Sequence, residues 1–599
     1  MQESTTIPAT KSATPPLETA AAIELKSIHD QSVRAIHGNE IREEHIFVRH
    51  HWLWRTLELV PGTISWMAII IPLILSAFLP VWAATFMIIY TVIWLFRSVR
   101  MSVNLYRCTR KVKASLATNW ERLISFNDRP EKIDYEIARL QNIIQKNVQN
   151  HSAVTHFWEN RAIRKLQTQV RGLQNLKNKL QLLTSSGQYK KSKEIVHAII
   201  YVTYKEPYHL VRESVKSYIN SVYPASRIMM VFAGEETDRE NAMEISRKIE
   251  NEFGKKFLYY MTTLHPQNIP GEIRGKSSNA TYAAKELKKY LDANEIDYEN
   301  VIISNFDADT LVHPLYFSEL TFKYLTADSR TEKAYQPTHM FHNNIWDVPI
   351  ITRIVALSCT FWRMAESMDQ ERYKSFSSRS IGFKTVVDVD YWDPAIIPED
   401  SRQYWTAFHK YDGRHKLIPI FSPIYMDAVL SDTYTKTFKS QYNQLRRWAW
   451  GVCDFPFVAL NLWYHKKIRT TEKIYQIFEF LKNSLLWATG PILISFMGFM
   501  PGLLNPAFRD TVLAYNFPQM MSNILTLASG GIVMCTIISL TLVPYNPKKG
   551  FVGTLSLCFQ WLLIPVVSIF LSAVPALDAQ TRLMFGKYLE YKVTEKARK

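Results

Sequence analysis

Three groups of residues in this sequence could do chemistry. In "SNFDADT" two carboxylates, Asp307 and Asp309, are separated by one alanine after an apolar run. Side chains on an extended chain alternate with a period of two, so both acids face one side. Two close carboxylates repel unless a cation sits between or beside them, and Mg²⁺ or Mn²⁺ suits such oxygen donors and commonly bridges protein to a diphosphate. A solvated loop pair is the plainer alternative. A second pair, Glu399 and Asp400, follows Pro398 in "IIPEDSRQYW". Acidic residues suit the first turn of a helix, and equally could act as a general base. The third group, in "QYNQLRRWAWG", sets Gln444, Arg447 and Trp448 on adjoining helical turns. It offers one amide, one fixed cation and one flat apolar face; alone, it also suits an interfacial helix with arginine anchors and a tryptophan belt.

The elements that must position these residues are legible as patterns. From about residue 193, "IVHAIIYVTY" (195–204), "RIMMVFAG" (227–234), "KFLYYMTT" (256–263) and "NVIISNF" (300–306) read as strands. The intervening stretches 208–222, 236–253 and 277–292 read as amphipathic helices. This alternation predicts an α/β fold, a mostly parallel sheet with helices on both faces. Such sheets bind ligands beyond the carboxyl ends of their strands, where Asp307 and Asp309 lie.

On either side the chain is apolar. Two uncharged runs, 62–79 and 81–96, are joined at Pro80, and three more follow at 485–504, 521–543 and 552–574. Each approaches the ~20 residues that cross a bilayer as a transmembrane α-helix. Residues 97–191 carry 19 Lys/Arg against 6 Asp/Glu, most of the chain's net +17. Their position directly after apolar spans points to the cytoplasmic face of an anionic lipid bilayer, not to nucleic acid. Within them Ile163, Leu166, Val170, Leu173, Leu176 and Leu180 form one apolar stripe on a basic helix, expected to pack on the neighbouring domain in preference to the membrane surface. The five cysteines are scattered without a CxxC pair, which suggests neither a disulfide framework nor a zinc site.

The expected organisation is therefore a mobile arm at 1–50, a transmembrane hairpin at 51–113, a basic helical segment at 114–192, a cytoplasmic domain at 193–455, and interfacial and C-terminal transmembrane helices with a basic tail at 456–599. Residues 1–50 are polar and lack the short apolar core of a cleavable signal peptide. Five spans starting inside would end outside, yet 579–599 hold 6 basic against 2 acidic residues. Pro565 and Pro575 could break the last span into a re-entrant or interfacial hairpin that restores a cytoplasmic tail.

The order strand–DAD, then PED, then QLRRW resembles the membrane-bound processive glycosyltransferases of family 2, the group of cellulose and hyaluronan synthases. The resemblance covers roughly 193–455 with membrane helices on both sides. It implies a GT-A-like fold and an inverting transfer of sugar from a nucleotide-sugar donor, a UDP-sugar being favoured, to a growing glycan or lipid-linked acceptor. It makes Asp400, with Glu399, the general base, and gives the divalent metal to Asp307 and Asp309. Asp307, Lys276, Gln444 and Arg447 face the donor, and Trp448 is a platform for the acceptor. "VTYKEP" matches the family's first-strand motif, so Thr203, Tyr204 and Glu206 are expected at the base and ribose, although Val202 and Lys205 replace its proline and asparagine. "FAGEE" stands where the family has paired aspartates, with Glu235 as substitute. "SFSSRSIGFKT" (375–385) falls at the acceptor-side loop, and no RxxxR-type cyclic dinucleotide receptor domain follows the catalytic region. The resemblance places the protein in the plasma (inner) membrane, multi-pass, with the catalytic domain cytoplasmic. Two alternatives are a non-processive enzyme adding one sugar to a lipid carrier, and a catalytically silent membrane scaffold of the same fold.

Overall fold

The computed structural model describes residues 51–149 and 156–590. The arm at 1–50 and the end of the basic tail, 591–599, lie outside the described residues. Eight strands form one sheet: β1 (Val196–Val202), β2 (Ile228–Glu235), β3 (Tyr259–His265), β4 (Val301–Phe306), β5 (Leu311–Val312), β6 (Lys333–Met340), β7 (Arg379–Gly382) and β8 (Lys416–Tyr425), ordered β3-β2-β1-β4-β7-β6-β8-β5. The half built from β1 to β4 is parallel throughout. Beyond it β7 runs antiparallel between β4 and β6, β8 runs parallel to β6, and β5 closes the edge antiparallel to β8. The sheet is thus mixed but mostly parallel.

Strands buried on both faces need no polar alternation, which is why β1, β2 and β4 are continuous apolar runs. Ile199 and Tyr201 of β1, Met230 and Phe232 of β2 and Ile302 of β4 pack into one core, with helices Tyr208–Ile219, Arg239–Phe253 and Tyr316–Thr326. Ala198, Ile200, Met229, Val231 and Ile303 enter the other, with helices Lys276–Ala293, Glu399–Lys410 and Phe455–Tyr464.

Among the described residues, five helices or helical runs are long and apolar enough to cross a membrane: Trp52–Phe78, Pro80–Leu116, Thr470–Leu504, Val512–Leu542 and Gly550–Met584. This is a membrane protein. The last run is interrupted by a 3₁₀ turn at Gln560–Leu563 and a π turn at Ile569–Ala573, and Pro565 and Pro575 each open the helical piece that follows. The second helix continues past its apolar part and places Leu105, Cys108 and Val112 in the first core. At its end the Ser115 hydroxyl donates to buried Glu319 at 2.6 Å. Glu319 also accepts the backbone N–H groups of Phe421 (3.0 Å) and Ser422 (2.6 Å) of β8 and pairs with Lys323 at 2.6 Å. Burial opposes its ionisation, but Lys323 and these donors outweigh burial and hold it below the usual carboxylate range.

The basic segment folds into helices Trp120–Asp128, Glu131–Gln149 and His156–Ser185. Val170, Leu173, Leu176 and Leu180 of the expected stripe are buried against Ile133 and Leu140, with Phe322 of the catalytic-domain helix beside them. The stripe therefore packs on protein.

Removing one partner of a buried ion pair leaves an uncompensated charge. Glu319→Ala is expected to lower unfolding free energy by about 3–5 kcal/mol, with Glu319→Gln in between, as read from thermal and chemical unfolding of the detergent-solubilised protein.

Candidate active site

At the carboxyl end of β1 the Thr203 N–H continues the ladder to the Ala233 carbonyl at 3.0 Å, and the chain then turns. Glu206 folds back on this turn, accepting the Thr203 hydroxyl at 2.7 Å and the Tyr204 N–H. Burial pushes the Glu206 carboxyl above its usual range. Lys205 sits at φ 63°, a left-handed position that asparagine tolerates better than lysine. The departure from the family's asparagine therefore falls where backbone strain is paid, and the Lys205 N–H is steadied by Asp238 at 3.0 Å. The Tyr204 ring lies 4.9 Å from the Arg274 guanidinium, which also donates to the Tyr204 hydroxyl at 2.8 Å.

Glu235, at the end of β2, accepts from His265 Nδ1 at 3.1 Å, and Glu272 accepts from Nε2 at 2.8 Å. Burial opposes a charge on His265, but the two carboxylates outweigh it and raise the imidazole to about 9. Sequence reasoning missed His265 and Arg274. His265 ends β3, so its place beside Glu235 was readable once the two strands were paired.

Beyond β4 the backbone of the DAD stretch is fixed at its centre. The Ala308 carbonyl accepts the hydroxyls of Tyr201 (2.6 Å) and Ser214 (2.9 Å). Asp307 faces outward: Oδ1 accepts from Lys276, Oδ2 accepts the Ser377 hydroxyl at 2.8 Å, and its N–H donates to Ser378 Oγ at 3.1 Å. Asp309 points inward, buried, with Oδ2 accepting the Asp427 N–H at 2.8 Å. Lys276 opens the helix Lys276–Ala293 and lies 3.8 Å from Glu399 Oε1. Burial opposes its charge, but Asp307 and Glu399 outweigh burial and hold the ammonium above its ordinary value.

Glu399 and Asp400 occupy the first turn of helix Glu399–Lys410. Burial and then the adjacent Asp400 push the Glu399 carboxyl well up, against the pull of Lys276. The turn is clamped from β7, where Arg379 donates to the Asp400 carbonyl at 2.9 Å and to the Gln403 amide oxygen. Burial lowers the Arg379 guanidinium to about 10, which leaves it charged at neutral pH. Part of the expected acceptor-side loop is therefore a sheet strand, Arg379–Gly382, and Ser375, Phe376 and Ser377 ahead of it reach the site.

A cavity of about 600 Å³ is lined by Lys276, Asp307, Glu399, Asp400, Gln444, Arg447 and Trp448, so most of the three sequence groups meet in one wall. The Gln444 side-chain oxygen accepts from Gln441 at 3.0 Å, and Trp448 packs edge-on to Phe376 with ring centroids 5.5 Å apart. Thr203, Tyr204, Glu206, Glu235 and Asp309 are not among the lining residues. The first four form a separate group at the β1 and β2 ends, joined to the cavity by the loop from Arg274 to Lys276. The cavity continues between membrane helices, past Trp487, Leu571 and Ser572.

No family model matches this chain, and no curated protein sequence matches it. Solved structures that resemble it include a mannosyltransferase, PcManGT from Pyrobaculum calidifontis, in complex with GDP-Man and Mn²⁺ (13% identity, 65% of this chain and 88% of that chain, TM-score 0.35). Another is TarS of S. aureus, residues 1–349 (12% identity, 66% of this chain and 93% of that chain, TM-score 0.29). Overlap of this extent does not fix activity, substrate or metal for this chain.

His265 binds its proton more tightly folded than unfolded. Its pairing therefore stabilises fully below about pH 6.5, and that contribution is lost as pH rises through about 9. The unfolding midpoint of wild type should exceed that of His265→Gln at pH 6, and the gap should close towards pH 9.5.

Proposed function

We propose that this chain is a membrane-embedded inverting glycosyltransferase of the processive family 2 type, moving sugar from a nucleotide-sugar donor to a growing glycan. The observation that carries the reading is the single cavity in which Lys276, Asp307, Glu399, Asp400, Arg447 and Trp448 meet. Its continuation between the membrane helices gives a glycan or a lipid-linked acceptor a way to the same acids.

In this reading the nucleoside lies across Thr203, Tyr204 and Glu206, and its diphosphate reaches Lys276 and Arg447, whose fork suits two phosphate oxygens. Glu235 is committed to His265, so base selection falls to Tyr204 and Arg274. The acceptor sugar stacks on Trp448. Its hydroxyl oxygen attacks the anomeric carbon from the face opposite the diphosphate, Asp400 takes the hydroxyl proton, and the anomeric C–O bond electrons leave with the nucleoside diphosphate. Configuration inverts.

Asp307 and Asp309 supply hard oxygen donors, and among the described residues no group of three or more His, Cys, Asp or Glu is arranged to hold a metal. Of the two only Asp307 reaches the cavity, Asp309 being turned inward onto the Asp427 N–H, so a Mg²⁺ or Mn²⁺ shared with the diphosphate would rest on Asp307 and the substrate phosphates. A metal so held would offset charge on the departing diphosphate. The cluster Arg97, Arg100, Arg107, Arg110, Lys111 and Lys113 after the second span supports a cytoplasmic catalytic domain on a multi-pass plasma (inner) membrane protein.

Purified protein screened against UDP- and GDP-sugars with Mn²⁺ or Mg²⁺ should release nucleoside diphosphate and lengthen a glycan; absence of turnover across the panel would favour the silent scaffold. Asp400→Asn should cut turnover ~10²–10⁴-fold while donor affinity persists. Mn²⁺ should bind tightly only with nucleoside diphosphate present, as read by calorimetry, because the phosphates must complete the ligand set.

A further inference from the structure

Arg97 closes the apolar part of the second membrane helix and lines the same cavity as the candidate catalytic acids. Its guanidinium lies 5.2 Å from the centroid of the Trp94 ring, and among the described residues no carboxylate comes within 4 Å of it. The nearby acids Glu366 and Glu479 attract it, but each holds a closer cation. Glu366 pairs with Arg363 at 2.8 Å, and Glu479 pairs with Lys482. Arg372, also in the cavity wall, has only long contacts, 3.6 Å to Asp369 and 3.7 Å to Glu479. Lys374, beside it, is held by the Gln476 side-chain oxygen at 2.9 Å. A cation in a membrane-level wall is costly unless it meets an anion, and ionisable residues at such depth usually serve a ligand or a path.

Beyond these cations the lining turns apolar, with Leu486, Trp487 and Pro491 of one span and Ile564, Val567 and Leu571 of another. The cavity therefore brings together the candidate catalytic acids, a collar of cations (Arg97, Arg363, Arg372 and Lys374) interleaved with Glu366, Glu371 and Glu479, and an apolar arm between membrane helices. We propose that this collar binds the phosphate of a lipid that carries the acceptor, with Arg97 as its principal contact and the aliphatic chain in the arm. Arginine suits this task because its planar fork takes two phosphate oxygens. The acceptor glycan or headgroup then extends towards Asp400, where its hydroxyl oxygen bonds to the anomeric carbon, its proton goes to Asp400, and the donor C–O bond breaks with its electrons on the nucleoside diphosphate. This rests on the function proposed above and names the acceptor's anchor.

The test uses the full chain in discs of zwitterionic lipid, with release of nucleoside diphosphate as the readout. A long-chain polyprenyl phosphate bearing a sugar is expected to stimulate turnover at least tenfold, and the matching neutral polyprenyl glycoside not at all. Arg97→Ala should raise the half-saturating concentration of the lipid phosphate at least tenfold, with Arg97→Lys intermediate and Arg372→Gln showing a smaller shift. Equal stimulation by the neutral glycoside, or an unchanged half-saturating concentration in both Arg97→Lys and Arg372→Gln, overturns the proposal, and neither needs the alanine variant to fold. Stimulation by inorganic phosphate or a uronic-acid oligosaccharide to the same degree overturns it in favour of a soluble anion. Donor binding by wild-type protein without lipid separates the two readings. Its absence sinks the glycosyltransferase itself, whereas donor binding without a lipid-phosphate response sinks only the anchor.

Discussion

The site depends on one lysine. Asp307 and Glu399 come from a strand end and a helix start far apart in sequence, and both lie within 4 Å of the Lys276 ammonium in a largely buried wall. Carboxylates brought together out of water repel, and the usual resolution is protonation of one of them. Lys276 pairs with Asp307 and pulls on Glu399, whose carboxyl burial and then Asp400 nevertheless push up. The surrounding bonds hold the acids at this distance: Ser377 and Ser378 on Asp307, Arg379 on the Asp400 carbonyl, Tyr201 and Ser214 on Ala308. Breaking a buried charge arrangement by losing one member costs more than the arrangement contributes when complete. Lys276 is thus a structural requirement before it is a binding group.

A second set of polar contacts ties the sheet to the membrane helices. Glu319 gathers the end of the second helix and the bulged turn of β8. On the other side Arg353 donates to Gln560 at 2.8 Å and to Ser556 in the last span. These bonds join elements whose apolar faces already pack together, through Phe361 stacked on Trp561 with centroids 5.7 Å apart. The cavity owes its shape to this join, since its reacting end belongs to the sheet and its far end to the spans.

The parallel half of the fold was legible because β1 to β4 are apolar runs separated by amphipathic stretches, and their ends were placed within three residues. The other half was not. β6 and β8 carry Pro337, Pro419 and Pro423, and proline argues against a central strand; here the register slips between Pro337 and Thr338 to absorb it. β7 has only four residues and needs its neighbours to be a strand at all. In the site, residues inside short ordered motifs were legible, whereas Ser377, His265 and Arg274 were not. Their roles come from tertiary proximity: Ser377 meets Asp307 across 70 positions, and His265 finds Glu235 across 30. Asp309 was legible as an acid, but not as an inward-facing one.

The second membrane helix has 37 residues without a break. At 1.5 Å per residue it is roughly 55 Å long, against a hydrocarbon core of about 30 Å. Nearly half of this rod therefore stands clear of the lipid as a stiff lever whose tip is fastened to the sheet domain at Ser115. Helices answer a mismatch in bilayer thickness by changing tilt. A change of that tilt would be passed from Ser115 through Glu319 to the backbone of β8.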